Sequence, residues 1–450
     1  MQNRPKPVLT SHYCKGCGRC IDSCPQHCIE TGSIVDSATG LIPILLHLDN
    51  CNGCALCVDA CPEPYGLRIP ENGDHRTKRA LTPIAVAGQF IPLPELEPLV
   101  IKGTYASAIG ALLAGCRHFF GYPITPSTEG AELMAKILPE IGGVFLQAIS
   151  EVATVNFMYG CGGAGLPCMT FTSSPGFSLM LEGISYMIGA EVPGVFVNVM
   201  RGGPGLGNIA PEQSDIKLVC RGLGHGNTHA IVLAPSTPQE MLDLTVLAFK
   251  LAFCYRNPVI VIADGYLGQM TGRVKVPGWM FRPGIPKWAV YGDEIHRSNL
   301  ICSIQLSEKD LESHNVHLNG KYKAMALREQ QAELFRCDDA ELLLIACNTP
   351  ARMAKGAVEE LRRQGIRAGL FRPITVWPFP VNYLIPLLNS AQKIVMVEAG
   401  PGQLEDELRL SLSTYGVHCP PIESIRHMGG VLPQVHEIVE RVSQTREVFA

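Results

Sequence analysis

The tightest constraint on this 450-residue chain is a pair of cysteine runs near its start. Cys14, Cys17, Cys20 and Cys24 are followed by Pro25, and Cys51, Cys54, Cys57 and Cys61 by Pro62. Thirty-seven residues separate Cys14 from Cys51, so the segment is an internal duplication of one small unit. Three cysteines at i, i+3 and i+6 can wrap three corners of one iron–sulfur cube within a tight loop, and iron in such a cube prefers thiolate sulfur. Each half is expected to form a short hairpin plus a helical turn around one cluster, with Ser33–Val35 and Ile42–Leu48 as the strands.

The fourth cysteine of each run lies too far along to close the same cube. In two-cluster ferredoxins it crosses to the other cluster. One cluster is therefore assigned to Cys14, Cys17, Cys20 and Cys61, and the other to Cys51, Cys54, Cys57 and Cys24. The small residues Gly16, Gly18, Gly53 and Ala55 let backbone amides approach the sulfurs, which raises the reduction potential. Cys28, just outside the run, reads as a small buried residue rather than a ninth ligand. Over residues 10–70 the chain resembles a bacterial two-cluster ferredoxin. Zinc binding and free thiols are the competing readings of these cysteines.

Composition narrows the rest. The other ten of the 18 cysteines are mostly scattered singly among apolar neighbours, which suits a reducing compartment rather than a disulfide framework. A net charge of −4 with no strongly basic stretch argues against nucleic acid as a partner. The polar start has no apolar signal region, and no apolar run approaches the ~20 residues of a membrane span. The expectation is a cytoplasmic protein with no membrane association.

The fold class expected is α/β. Residues 1–70 form the small α+β ferredoxin domain. A proline-rich linker at 71–100, carrying charges at Asp74–Arg79, is expected to lie extended over a surface, with a disordered tether as the alternative. From 101 to 268, short apolar strands alternate with helices. His118–Gly121, Met169–Thr172, Val195–Met200, Ala230–Leu233 and Val259–Ile262 read as buried strands, Ser107–Ala114 and Pro238–Phe253 as helices. Such alternation implies a parallel sheet covered on both faces. Residues 269–337 read as an irregular extension. A second, smaller α/β domain at 338–450 has strands at Glu341–Ala346, Arg367–Phe371 and Lys393–Glu398 and helices at Ala351–Gln364 and Gln403–Leu412.

Several motifs in residues 100–445 carry a second resemblance. They are Gly121-Tyr-Pro-Ile-Thr-Pro-Ser127, Ser150-Glu-Val-Ala153, the glycine-rich Met200–Asp215, Asn257–Gly265 and Arg372-Pro-Ile-Thr-Val-Trp-Pro-Phe379. Together they resemble the α subunit of 2-oxoacid:ferredoxin oxidoreductases, most of all the branched-chain (2-oxoisovalerate) and 2-oxoglutarate members. The resemblance implies a thiamine-diphosphate-binding-type parallel sheet domain followed by a domain similar to the C-terminal domain of transketolase. It also implies oxidative decarboxylation of a 2-oxoacid, with electrons leaving singly through clusters to ferredoxin and coenzyme A collecting the acyl group. The thiamine cofactor performs the hard chemistry, and the protein orients it.

Residue roles follow from that resemblance. Glu151 would stand beside the aminopyrimidine of thiamine diphosphate and assist its proton transfers. Ile149, Val152, Ala153 and Val155 would give it an apolar setting. A plain helix-start role is the alternative, because Ser150 precedes it in N-cap fashion. Thr125, in a turn at a strand's carboxyl end, would touch substrate, where binding sites in open sheets collect; a purely structural role in the turn that the flanking prolines fix is the alternative. Arg201, opening the glycine-rich loop, would grip the oxoacid carboxylate. Its alternative is an ion pair with Glu212 or Asp215. Glu398–Glu405, with the Gly400-Pro-Gly402 turn, would pack at an interface.

A complete thiamine enzyme also holds the diphosphate through Mg²⁺, usually with a Gly-Asp-Gly run and a later asparagine. Ala263-Asp264-Gly265 lacks the first glycine, and Gly292-Asp293-Glu294 sits in the irregular region. The chain is therefore expected to supply only the pyrimidine side. A β subunit would carry the diphosphate and Mg²⁺, and a γ subunit would help bind coenzyme A. Two rival readings are a stand-alone electron carrier whose α/β portion docks a partner, and a phenylglyoxylate or indolepyruvate oxidoreductase subunit.

Overall fold

The structure is a computed structural model that describes residues 5–37, 39–63, 66–69 and 87–447. It divides into two compact units, 1–80 and 81–450.

Among its described residues the first unit has two short antiparallel strand pairs, two α-helical turns and two 3₁₀ turns. Val8–Leu9 pairs with Leu67–Arg68, and Ile29–Thr31 with Ile44–Leu46. The turns Arg19–Asp22 and Leu56–Asp59 follow left-handed residues, Gly18 and Ala55. Gly16 and Gly53 are left-handed as well, so all four small residues of the cysteine loops share one backbone conformation that larger side chains resist. At Gly16 a Cβ would fall 2.4 Å from the Ile42 carbonyl oxygen. Ser33–Val35, expected as a strand, is not one: Ile34 and Val35 are exposed, and the pairing strand lies earlier, at Ile29–Thr31, where Ile29 is buried. The apolar core is Cys20, Cys28, Ile29, Ile44, Cys57 and Leu67. So few apolar side chains leave the fold dependent on whatever the thiols bind.

Among its described residues the second unit contains two large sheets and two small two-stranded ones. The larger has seven strands in the order Thr375–Trp377, Ile231–Leu233, Pro258–Asp264, Gly194–Met200, Cys168–Thr172, His118–Gly121 and Val144–Gln147. Six are parallel, and Thr375–Trp377 joins one edge antiparallel. Gly194–Met200 and Pro258–Asp264 are buried at every residue, which is why they read as unbroken apolar runs. The helix Gly103–Leu113 packs small residues against Pro238–Tyr255. At Gly110 a Cβ would fall 2.5 Å from the Leu242 carbonyl oxygen. Reversal of strand order beside His118–Gly121 creates a crevice at the carboxyl ends of the strands.

The smaller sheet has the order Ala332–Phe335, Ala368–Pro373, Leu342–Ile345, Lys393–Glu398 and Ile422–Arg426, parallel except for its first strand. Two expectations about the connecting regions need correction. Within the expected linker, residues 71–86 lie outside the described residues, but Gly88–Pro92 and Leu99–Lys102 are strands paired with Trp279–Pro283 and Thr271–Val274. Proline is tolerated on such isolated edges, so the proline content did not exclude strand. The region 269–337 is also not wholly irregular, since Glu308–Arg328 is a 21-residue helix capped by Ser307.

Among the described residues, no helix is long and apolar enough to cross a membrane.

Candidate cluster sites and active site

Two small cavities in the first unit, of about 20 and 10 Å³, are lined by sulfur. Cys14, Cys17, Cys20 and Cys61 line one, with Leu9, Ile44 and Leu67 behind them. Cys24, Cys51, Cys54 and Cys57 line the other, together with Cys28. Each cavity thus takes three cysteines from one run and the last cysteine of the other. Among the described residues no three metal-binding side chains converge on a point that would hold one ion. Four thiols spread around a cavity suit a polynuclear iron–sulfur cluster, and the donor set is the one such clusters use. Lys15, whose ammonium pairs with Glu63, stands at the wall of the first cavity.

In the second unit the singled-out residues all lie just beyond the carboxyl ends of parallel strands. Thr125 follows His118–Gly121, Glu151 follows Val144–Gln147, Ser174 follows Cys168–Thr172, and Arg201 follows Gly194–Met200. Arg201 is buried. Its Nη1 donates to the Thr125 carbonyl oxygen at 2.9 Å and its Nη2 to the Leu206 carbonyl oxygen at 3.3 Å. Thr125 itself is exposed. The Arg201 side chain therefore turns toward Thr125 and its own glycine-rich loop rather than toward Glu212 or Asp215. Those carboxylates have other partners. Glu212 accepts from Gly203 N–H at 3.3 Å. Asp215 accepts from Ser174 Oγ at 2.6 Å and Asn198 Nδ2 at 2.9 Å, and burial pushes its carboxyl above the usual range.

Glu151 opens the helix Glu151–Gly163, whose N-cap Ser150 Oγ accepts from Ala153 N–H at 3.2 Å. Ser150 thus caps the helix, and Glu151 stands in its first turn, the placement on which the helix-start alternative rests. Glu151 is 5% exposed, yet the apolar setting expected from Ile149 and Val152 is absent: they are 90% and 47% exposed. The helix Ser174–Leu179 instead packs over it. A Cβ on Gly176 of that helix would fall 2.5 Å from both Glu151 Oε1 and Thr172 Oγ1. The same short helix reaches Arg201, since Ser174 Oγ accepts from Arg201 N–H at 3.1 Å.

Buried polar atoms without a partner gather here. Of seven among the described residues, Thr172 Oγ1, Ser173 Oγ, Asn198 Oδ1 and Arg201 Nε belong to these strand ends. Unmet donors and acceptors beside a reachable carboxylate fit a polar heterocycle such as the pyrimidine of thiamine diphosphate.

Asp264 has a different duty. Its carboxylate accepts from Tyr266 N–H and Leu267 N–H at 3.0 Å, and from Thr349 N–H and Oγ1 at 2.8 Å. It caps one helix and clamps the smaller sheet's first helix to the larger sheet, with its carboxyl raised by burial. Asp293 pairs with His296 at 2.7 Å. The packing expected around Gly400 is seen: Gln213 N–H donates to the Ala399 carbonyl oxygen at 2.6 Å, and Ala399 N–H to Gln213 Oε1 at 2.9 Å. Sequence reasoning missed Gly176, Ser174 and Gln213. Only the run of small residues after Thr172 hinted at a close approach.

Three family models match the chain. A 4Fe–4S dicluster domain covers residues 13–64, the thiamine-diphosphate-binding domain of pyruvate flavodoxin/ferredoxin oxidoreductases covers 109–284, and core domain II of pyruvate:ferredoxin oxidoreductase covers 340–438. The ketoisovalerate oxidoreductase subunit VorB of Methanothermobacter thermautotrophicus is 42% identical over 347 residues, 77% of this chain and 97% of that protein. The chain belongs to the 2-oxoacid:ferredoxin oxidoreductase family. It is an α/β enzyme subunit of that family with an N-terminal 4Fe–4S domain. Another family member, the 2-oxoglutarate synthase subunit KorA of Archaeoglobus fulgidus, is 36% identical over 77% of this chain and 99% of that protein. Among solved structures, a 2-oxoglutarate:ferredoxin oxidoreductase from Magnetococcus marinus, with 2-oxoglutarate, coenzyme A and succinyl-CoA bound, superimposes with a TM-score of 0.69. That match has 25% identity and covers 88% of this chain and 70% of that one.

Proposed function

We propose that this oxidoreductase subunit acts on a branched-chain 2-oxoacid, with 2-oxoisovalerate favoured and 2-oxoglutarate next, to give the acyl-CoA and carbon dioxide. Its own two [4Fe–4S] clusters pass the electrons on to ferredoxin. The observation that carries the reading is the buried Arg201 guanidinium, aimed at Thr125 with Nε unpaired. A planar fork of donors in a low-dielectric crevice is suited to a carboxylate.

Thiamine diphosphate, when bound, supplies the carbanion chemistry that lets carbon dioxide leave. This chain's share is to orient and to move protons. Glu151 holds a carboxylate at the crevice wall, where it can hydrogen-bond a pyrimidine nitrogen. Gly176 keeps space beside it open. Thr125, at the exposed rim, touches the substrate that Arg201 grips.

The diphosphate and Mg²⁺ belong to a β subunit in this reading, because Asp264 is spent on four internal donors and Asp293 on His296. The exposed apolar side chains Ile149, Val152 and Leu206 beside the crevice suit a surface that such a subunit covers. A γ subunit would help bind coenzyme A. Leu206 and Ile209, exposed on the loop that Arg201 opens, favour an apolar substrate side chain over a second carboxylate. The two VorB relatives, at 42% and 43% identity, point the same way.

Anaerobic kinetics of the assembled complex with 2-oxoisovalerate, 2-oxoglutarate, pyruvate and phenylglyoxylate test this. The expected result is the highest kcat/KM with 2-oxoisovalerate. Preference for 2-oxoglutarate would overturn the substrate, and absence of coenzyme-A-dependent ferredoxin reduction would overturn the reaction.

A further inference from the structure

The two sulfur-lined cavities differ in one respect. The wall of the second contains Cys28 in addition to Cys24, Cys51, Cys54 and Cys57, whereas the first has only Cys14, Cys17, Cys20 and Cys61. The 37-residue repeat aligns Cys28 with Tyr65, which has no sulfur to offer. Cys28 is 3% exposed. It immediately precedes the strand Ile29–Thr31, and its N–H donates to Cys24 Sγ at 3.3 Å. This bond holds residue 28 beside the one ligand that the second cavity takes from the first run. The Cys28 thiol donates to the Gln26 carbonyl oxygen at 3.5 Å and also lies within hydrogen-bonding reach of the Cys24 and Cys51 thiols, two ligands of the second cavity. A buried thiol on the wall of a cluster cavity, in reach of two of its ligand sulfurs, is placed to replace one of them.

We propose that Cys28 is a reserve ligand of the second cluster, taking the iron corner of Cys24 when that bond is lost. The inference rests on the two-cluster reading given above. In the exchange the Fe–Sγ bond to Cys24 breaks and one to Cys28 forms. The Cys28 thiol proton passes to the departing Cys24 thiolate, and no iron changes oxidation state. Among the described residues, Cys61, the matching crossed ligand of the first cluster, has no such stand-in on its cavity wall. The two clusters therefore differ in their tolerance to ligand loss.

The test uses the full-length chain, purified anaerobically with its clusters, as wild type and as Cys24→Ala, Cys28→Ala, Cys24→Ala/Cys28→Ala and Cys61→Ala. Iron and acid-labile sulfide are counted per chain, and the reduced proteins are examined by electron paramagnetic resonance. Wild type, Cys28→Ala and Cys24→Ala should each hold about eight irons, with an altered signal from one cluster in Cys24→Ala alone. The double variant and Cys61→Ala should each fall clearly below that. If Cys24→Ala loses as much iron as the double variant, the reserve role is wrong. Iron loss in Cys28→Ala alone overturns it too, because Cys28 would then be needed in the resting site. Should Cys24→Ala fail to fold, Cys24→Ser compared with Cys24→Ser/Cys28→Ala separates the same two outcomes. A wild type short of eight irons would instead overturn the two-cluster reading.

Discussion

The Arg201 guanidinium donates to the Thr125 carbonyl oxygen at 2.9 Å across 76 residues of sequence. That bond ties the loop after one strand of the large sheet to the loop after another. Arg201→Lys keeps the charge but cannot keep the fork of donors. Losing a charge-assisted hydrogen bond costs about 1.5–3 kcal/mol, so kcat/KM for the 2-oxoacid should fall roughly 10- to 100-fold. Steady-state kinetics should place most of the loss in KM. Unchanged KM would remove Arg201 from substrate binding.

Glu151→Gln preserves shape and removes the carboxylate. Coenzyme-A-dependent ferredoxin reduction should be abolished, a loss of about 10²-fold or more for a group that moves protons. Visible absorbance of the clusters should remain intact, because the N-cap bond of the helix runs through Ser150. Unchanged turnover would refute the role.

Gly176→Ala reaches the same carboxylate from the other side. The added methyl would stand 2.5 Å from Glu151 Oε1 and Thr172 Oγ1, so the carboxylate must shift. Activity should drop at least about tenfold, with apparent affinity for thiamine diphosphate weakened more than thermal stability. A fully active variant would show that this wall is not part of the site.

Cys61→Ala should perturb the cluster that shares a cavity with Cys14, Cys17 and Cys20. Damage confined to the other cluster, read by electron paramagnetic resonance of the reduced protein, would break the crossed assignment.

Glu398 is fully buried and accepts from Leu404 N–H at 2.9 Å and Glu405 N–H at 3.2 Å. Burial pushes its carboxyl up to about 7 from the ordinary 4.5. The folded state thus binds this proton more tightly than the unfolded chain does. Its contribution to stability is full below pH 4.5 and is lost as pH rises through about 7. Melting temperatures of Glu398→Gln minus wild type should therefore rise between pH 5 and 8. A flat difference would contradict the burial argument.

What could be read from the sequence, and what could not, follows from how local each signal is. The cysteine loops were legible because thiol spacing and left-handed small residues are local. The fully buried strands were legible because both their faces are apolar. The helix Glu308–Arg328 was not, since its buried face is only Leu318, Lys321, Tyr322 and Met325 on an otherwise polar surface. Gly88–Pro92 hid behind its prolines, because its pairing partner Trp279–Pro283 lies far along the chain. The surroundings of Glu151 were misjudged for a related reason. Its sequence neighbours Ile149 and Val152 face outward, and the residues that enclose it come from the loop and helix after Thr172. Burial made by distant segments leaves no local mark.

Thr375–Trp377 belongs by sequence to the C-terminal module yet completes the edge of the larger sheet, beside a strand buried at every residue. Cutting the chain before residue 340 would therefore leave Ile231–Leu233 with open backbone donors and acceptors and an uncovered apolar flank. The two α/β modules should therefore melt together, and a shortened version would be prone to self-association through that edge.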